Sequence, residues 1–111
     1  MLARVIPRKG GNVIKMREYE IAVILRPGLE DNDRAQLIER IEGWLTNGEE
    51  TNKPEADHWG QRSLAYPIKK FTEGYYIFYT AKIDPSQVRE FERNVVFVED
   101  VLRYLVIRKD Q

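Results

Sequence analysis

The chain has 111 residues, of which 42% are hydrophobic, which is enough for one domain with one core but not for two. It contains no cysteine, so disulfides and thiolate metal sites are excluded. The net charge is zero, but residues 1–15 hold four basic and no acidic side chains, so residues 16–111 carry −4. General nucleic-acid binders usually have a basic excess, so any such contact must come from a local basic patch. No apolar run approaches the ~18 residues that a membrane span needs, and we expect no membrane association.

The N-terminal residues and the first strand differ in pattern. Residues 1–15 show no sustained periodicity and are predicted to form a flexible basic extension, either a leader or an arm that reaches RNA. Residues 16–111 are predicted to form a single domain. The segment Tyr19–Leu25 is rich in β-branched residues and predicts a strand, which the turn residues Arg26–Gly28 bring to an end.

A helix and two strands follow in the chain. Over about Asp31–Asn47 apolar residues recur at helical spacing, and Gly48 is the predicted left-handed cap. The segment His58–Ile68 predicts the second strand, and Lys69–Gly74 predicts a hairpin loop. The aromatic-rich segment Tyr75–Ile83 predicts the third strand.

The second helix is predicted to begin at Asp84, with Pro85 at its first position and Gln87 completing a capping box. Its apolar stripe consists of Val88, Phe91 and Val95. The segment Val101–Arg108 predicts the last strand. The order βαββαβ indicates an α+β fold of the ferredoxin-like type, in which a four-stranded antiparallel sheet carries two helices on one face.

The face of the sheet that the helices leave uncovered, the open face, is predicted to be apolar. If Ile77 and the alternate residues up to Ile83 point to the helices, the open face holds four other side chains: Ala22, Ile24, Tyr76 and Phe78. A contiguous exposed patch of this kind usually marks a binding surface.

The sequence offers little catalytic chemistry. His58 is the single histidine, and neither a phosphate-binding glycine loop nor a metal-ligand cluster is present. Glu39 and Glu42 share a helical face, but a solvated charged surface with Arg40 explains them more simply than an acid–base pair. We therefore expect no enzymatic activity, no cofactor, no metal and no small-molecule substrate.

Basic side chains are interleaved with aromatic ones in the second half of the chain. Cations neutralise phosphates, while aromatic rings stack on unpaired bases or pack against a partner protein. Tyrosines in a strand are nevertheless more often core residues than base platforms, and Lys69 and Lys70 could be simple solubility charges. The residue types alone leave these alternatives open.

Four motifs stand at wide intervals: Met16–Glu20 followed by Arg26-Pro27, then Trp59–Lys69, Glu73–Tyr76 and Glu99–Arg103. In this order they resemble the bacterial small-ribosomal-subunit protein six family over about Met16 to Arg108. The resemblance implies the ferredoxin-like fold, a cytoplasmic location in the ribosome, and binding to the central domain of the small-subunit ribosomal RNA. It also implies a heterodimer with small-subunit protein eighteen, the two proteins binding the RNA together.

The resemblance implies two sets of contact residues by their position. The RNA-binding set is Arg17, Tyr19, Lys69, Lys70, Arg103 and Arg108. The partner-protein set is Arg62, Leu64, Tyr66, Tyr76 and Phe78. Strict alternation in the second strand would place Arg62, Leu64 and Tyr66 on one side, and on the other Trp59, Gln61, Ser63 and Ala65. We therefore interpret the stretch Trp59–Tyr66 as an assembly surface.

Two further functions are compatible with this order of elements. One is a stand-alone module like the RNA-recognition motif, whose aromatic third strand the segment Glu73–Phe78 resembles. Glu73 occupies the place of its usual basic residue, however, and Ala22 and Ile24 stand where a stacking aromatic would help. The other is a small ferredoxin-like enzyme, which the missing catalytic chemistry disfavours.

Overall fold

A computed structural model describes residues 17–46 and 54–109. The predicted N-terminal extension, Met16 and the predicted cap Gly48 lie outside the described residues. Six elements follow one another in the predicted order: β1 Arg17–Leu25, α1 Asp31–Thr46, β2 Glu55–Ile68, β3 Phe71–Ile83, α2 Pro85–Val95 and β4 Val101–Arg108.

The four strands form one antiparallel sheet in the order β2-β3-β1-β4, so that β2 and β4 are its edges. Both helices supply their buried residues to a single core, and the strand order is that of the ferredoxin-like fold. The predicted fold is therefore confirmed. The arrangement leaves one face of the sheet without a helix, and the candidate site lies on that face.

The core lies between the sheet and the helices. In β1 the alternate residues from Tyr19 to Leu25 are buried, and so are those from Ile77 to Ile83 in β3, which confirms the predicted helix-facing set. The helices contribute Leu37, Ile41, Leu45, Val88, Phe91 and Val95. Burying each large apolar side chain contributes roughly 1.5–3 kcal/mol, so this set of residues holds the helices on the sheet.

The start of α2 confirms part of its predicted cap. The Asp84 carboxylate accepts a hydrogen bond from the backbone N–H of Ser86 at 2.8 Å, and Pro85 occupies the first turn. The predicted capping box is wrong: among the described residues the Gln87 side chain makes no hydrogen bond to the Asp84 N–H, and its amide donates instead to the Trp44 carbonyl at 3.3 Å. Gln87 therefore links α2 to the last turn of α1 instead of closing its own helix.

The connection between β2 and β3 is a two-residue turn, so the prediction of a loop over Lys69–Gly74 is wrong. Lys69 and Lys70 have φ of 50° and 73°, and Ile68 pairs with Phe71 across the turn. Positive φ at both central residues is the geometry of a type I′ turn, which matches the twist of the strands. The hairpin therefore ends in two adjacent cations on a tight turn.

An ion pair joins the end of β1 to the start of β4. Arg26 Nε lies 2.6 Å from Asp100 Oδ1, and the Arg26 N–H donates to the Asp100 carbonyl at 2.8 Å. Both side chains are more than a third exposed, so water screens the charges and the pair contributes little stability as such. Its structural effect is to fix the α2–β4 loop against the turn after β1.

Candidate functional site

The open face carries an apolar cleft of about 370 Å³. The four residues predicted for this face all line it, which confirms the predicted alternation in β1 and β3. The complete lining is Ala22, Ile24, Leu64, Ala65, Tyr66, Ile68, Tyr76, Phe78, Arg103, Tyr104 and Leu105. A concave apolar surface with one arginine at its border can bind an apolar group and a neighbouring anion.

A β-bulge in β2 changes which side chains reach this face. His58 pairs with Ile77 and Gly60 pairs with Tyr76, so β2 has one extra residue at Trp59. Gly60 has φ of 81°, a conformation that glycine adopts readily and other residues avoid. The strict alternation expected for Trp59 is therefore wrong, because the bulge turns its side chain to the open face.

An aromatic and cationic row runs along the open face beside the cleft. The Trp59 and Phe78 ring centroids are 4.5 Å apart, and the Arg62 guanidinium carbon lies 5.4 Å from the Trp59 ring. Arg62 Nε also donates to the Trp59 carbonyl at 3.1 Å. These contacts place Arg62 on the same face as Leu64, Tyr66 and Tyr76. The structure thus brings together the five residues predicted for the partner surface.

The outer part of the β2–β3 hairpin crosses the open face towards the opposite edge strand. Arg103 Nη1 in β4 donates a hydrogen bond to the Tyr66 hydroxyl in β2, and its guanidinium carbon lies 5.6 Å from the Tyr66 ring. Because β3 and β1 lie between these two strands, the contact spans the sheet. It closes one side of the apolar cleft.

Gly74 allows the hairpin to approach β1 this closely. A Cβ atom at position 74 would overlap the Ile24 side chain and lie 3.2 Å from the Leu25 carbonyl oxygen. Its φ is not in the left-handed region, so the requirement for glycine is one of space. The family motif Glu73–Tyr76 therefore contains the residue that lets the hairpin cover the cleft.

The predicted RNA-binding cations fall into two groups. Lys69 and Arg103 line a second cleft, of about 290 Å³, and Lys70 adjoins Lys69 in the turn; these three are the turn-end cations. Arg17 begins β1 and Arg108 ends β4, and the two strand ends adjoin because the strands are antiparallel; these two are the far-end cations. Five strand positions separate Arg103 from Arg108, or roughly 17 Å. The sheet therefore places cations at both of its ends.

Tyr19 does not belong to either group of cations or to the surface. Its side chain faces the helices and is 6% exposed, as part of the hydrophobic core. The prediction that Tyr19 contacts RNA is therefore corrected: the alternation that buries Ile21 and Val23 buries Tyr19 as well. By register Arg17 and Arg108 project from the same helix side of the sheet as Tyr19, because Arg17 pairs with Ile83 and Arg108 pairs with Tyr19. They differ from Tyr19 in standing at strand ends, where Arg17 is half-buried and Arg108 is exposed.

Three apolar residues of the open face were missed as site residues in the sequence. Trp59 is 48% exposed, and Leu105 and Ile107 in β4 are 56% and 47% exposed. The alternation of β4 relative to Arg103 would have found Leu105 and Ile107. For Trp59 the available indication was the glycine that follows it, since a glycine inside a strand suggests a bulge.

The buried Tyr79 hydroxyl and the exposed His58 form no catalytic pair with each other, since His58 contacts Tyr75. Burial raises the pKa of Tyr79 far above its ordinary value, and the charge of Glu42 raises it further. The Glu42 carboxylate lies close enough to the Tyr79 hydroxyl to act on its pKa, but the two groups do not reach hydrogen-bonding geometry, so within the described part of the chain the hydroxyl has no partner. His58 is exposed on edge strand β2, with Nδ1 3.3 Å from the Tyr75 hydroxyl.

The described residues contain neither a metal-ligand group nor a membrane-spanning helix. Across 17–46 and 54–109, no three His, Cys, Asp or Glu side chains are grouped so that they could hold a metal ion. Neither helix in these ranges is long and apolar enough to cross a membrane.

Comparison with known proteins identifies the family. The family model described as Ribosomal protein S6 matches residues 18–108. The chain belongs to the ribosomal protein S6 family. It is 44% identical over 97 residues to small ribosomal subunit protein bS6 of Caldanaerobacter subterraneus subsp. tengcongensis, covering 86% of this chain and 99% of that protein. It also resembles the crystal structure of 30S ribosomal protein S6 from Thermotoga maritima, with a TM-score of 0.76 and 28% identity over 86% of this chain and 89% of that one.

Membership of the family confirms the resemblance that the sequence motifs indicated. It makes the chain a structural protein of the small ribosomal subunit, located in the cytoplasmic ribosome. Two of the family motifs also meet in space, because Arg26 and Asp100 form the ion pair between β1 and β4.

Proposed function

We propose that this protein binds the central domain of the small-subunit ribosomal RNA together with small-subunit protein eighteen, and catalyses no reaction. The observation that carries the proposal is the apolar cleft on the open face, which has cations at both ends of the sheet. A contiguous apolar patch that a monomer leaves uncovered usually marks an interaction site. Family membership supports a ribosomal partner for that surface.

The partner protein is assigned to the apolar residues of the open face. Arg62, Leu64, Tyr66, Tyr76 and Phe78 form this surface, to which the structure adds Trp59, Leu105 and Ile107. Aromatic residues and arginine dominate the affinity of protein interfaces because they bury much area at low entropic cost. Protein eighteen would cover this face in the way that the helices cover the other.

The RNA is assigned to the turn-end cations and the far-end cations. These are Lys69, Lys70, Arg103, Arg17 and Arg108, whereas Tyr19 is excluded by its burial. Residues 16–111 carry a net charge of −4, so long-range attraction to RNA is weak and five local contacts are the main electrostatic term. We therefore expect strong binding only with protein eighteen present.

The test is to measure RNA affinity with and without protein eighteen. With it, the chain should prefer central-domain RNA to an unrelated folded RNA of equal length. Replacing both Tyr76 and Phe78 by alanine should weaken the affinity for protein eighteen by at least tenfold, since each truncation removes roughly 1 kcal/mol or more of apolar contact. Arg89→Gln, on the exposed side of α2, is the matched surface control.

Two outcomes would contradict the proposal. Equal affinity for central-domain and unrelated RNA, with protein eighteen supplied, would remove the ribosomal RNA as the specific ligand. Tight binding of the isolated chain to short single-stranded RNA, lost when Tyr76 and Phe78 are replaced, would instead establish the stand-alone module like the RNA-recognition motif.

A further inference from the structure

The most exposed large apolar side chain among the described residues lies away from the open-face cleft. Phe97, in the loop between α2 and β4, is 82% exposed, and its neighbour Val96 is 58% exposed. An exposed phenylalanine ring does not contribute the free energy of folding that a buried one would, so its position is not explained by the stability of the fold. The proposed partner-protein surface on the open face does not include it.

Hydrogen bonds fix the backbone of the loop that carries Phe97. The Phe97 N–H donates to the Asn94 carbonyl at 3.2 Å, and the Val98 N–H donates to the Val95 carbonyl at 3.0 Å. The Asp100 carboxylate and carbonyl are both bonded to Arg26. A binding residue on a backbone fixed in this way loses little entropy when it takes up a ligand.

Cations line the cleft on one side of the same loop. Val96 lines the cleft of about 290 Å³ that Lys69 and Arg103 also line, and Lys70 follows Lys69 in the turn. The loop itself holds two acidic residues, Glu99 and Asp100, and Asp100 is paired with Arg26. An exposed aromatic ring next in the chain to a cleft lined by cations is a combination that can bind an unpaired nucleotide, the ring stacking on the base and the cations contacting phosphates.

We infer that Phe97 stacks on an unpaired base of the RNA, whose flanking phosphates the turn-end cations contact. This inference rests on the proposed function and adds to it a base-stacking residue. A second copy of the chain fits the patch poorly. A two-fold contact would bring Lys69, Lys70 and Arg103 close to the same three residues of the other copy, and the like charges would repel one another. An apolar protein segment would use the ring but would not need its aromatic face.

The experiment compares Phe97→Ala, Phe97→Leu and Phe97→Trp in the complete chain with protein eighteen and central-domain RNA. Loss of one stacked base should weaken RNA binding about 5- to 150-fold in the alanine variant. The leucine variant should lose most of the same affinity, because leucine keeps the apolar contact but has no aromatic face. The tryptophan variant should bind as well as the wild type or better. Because Phe97 is exposed, all three should keep the wild-type melting temperature.

Each other outcome overturns the inference. Wild-type RNA affinity in the alanine or the leucine variant would exclude stacking. Weaker binding to protein eighteen in the absence of RNA would assign the patch to the protein partner. Failure of the wild-type chain itself to bind central-domain RNA would overturn the proposed function and this inference together, and the wild-type measurement separates that case from the other two.

Discussion

The two groups of cations make a quantitative prediction about salt. We consider Lys70→Gln at the turn end and Arg17→Gln at the far end, separately and together, with Arg89→Gln as a control that removes the same charge from α2. The turn and the pairing partner of Arg17 lie at opposite ends of the thirteen-residue strand β3, which spans roughly 40 Å. Exposed charges so far apart are screened from each other beyond about 10 Å at 0.1 M salt. The two substitutions should therefore act independently.

The magnitude follows from the number of contacts. Each phosphate contact releases counterions from the RNA and lowers the slope of log affinity against log salt by roughly 0.7–0.9. Five contacts therefore give a slope of about −3.5 to −4.5. Between 50 and 200 mM salt the affinity should then fall about 100- to 500-fold. Each single variant should reduce the slope by about 0.7–0.9, the double variant by about 1.4–1.8, and Arg89→Gln should leave it unchanged.

The assay is fluorescence anisotropy of labelled central-domain RNA, titrated with the chain and a fixed saturating amount of protein eighteen at several potassium chloride concentrations. A slope near zero would refute the phosphate role of all five cations. A change of slope in Lys70→Gln but not in Arg17→Gln would confine the RNA to the turn end. An equal change in Arg89→Gln would mean that net charge, and not the positions of the cations, determines the slope.

Three further predictions concern stability. Gly74→Ala should lower the free energy of unfolding by about 1–3 kcal/mol, because the added Cβ overlaps Ile24, and chemical denaturation measures it. Tyr79→Phe should be neutral or stabilising by about 1 kcal/mol near pH 7, since the buried hydroxyl has no partner in the described residues. Above pH ~10 the unfolded Tyr79 loses its proton while the folded one keeps it, so wild-type stability should fall by up to ~1.4 kcal/mol per pH unit more steeply than in Tyr79→Phe. Replacing Lys69 by Asn and Lys70 by Gly should raise the melting temperature by a few degrees, because both suit the left-handed turn, yet weaken RNA binding.

The sequence was sufficient for the fold because its patterns are dominated by the core. The alternation in β1 and β3 and the helical stripes predicted which residues would face one another across the sheet and helices, and the structure confirms them. Predictions of individual side-chain hydrogen bonds were less reliable where a side chain had two possible partners. Gln87 fits a capping box by spacing, but the Trp44 carbonyl competes for its amide, and that contact depends on the packing of two helices.

The site was predicted less completely because two local irregularities determine its shape. The bulge at Trp59 moves an indole from one face of β2 to the other, and periodicity assumes that no such extra residue exists. The type I′ turn at Lys69 and Lys70 carries no Asn-Gly, so its tightness could not be recognised from residue preference. The contact between Tyr66 and Arg103 joins residues 37 positions apart, which no local pattern predicts.

The position of the cations relative to the cleft is the physical reason for proposing two partners for this domain and not one. The turn-end and far-end cations lie at opposite ends of β4, while Leu105 and Ile107 project from the strand between them onto the open face. An RNA that contacted only one end could rotate about it, whereas contacts at both ends fix the direction of the strand. The apolar side chains between the ends cannot neutralise phosphates. They favour binding only when a partner buries them and removes them from water. In the proposed complex, a protein would therefore contact the open face and an RNA would contact the strand ends of the same sheet. Each partner would orient the surface that the other binds.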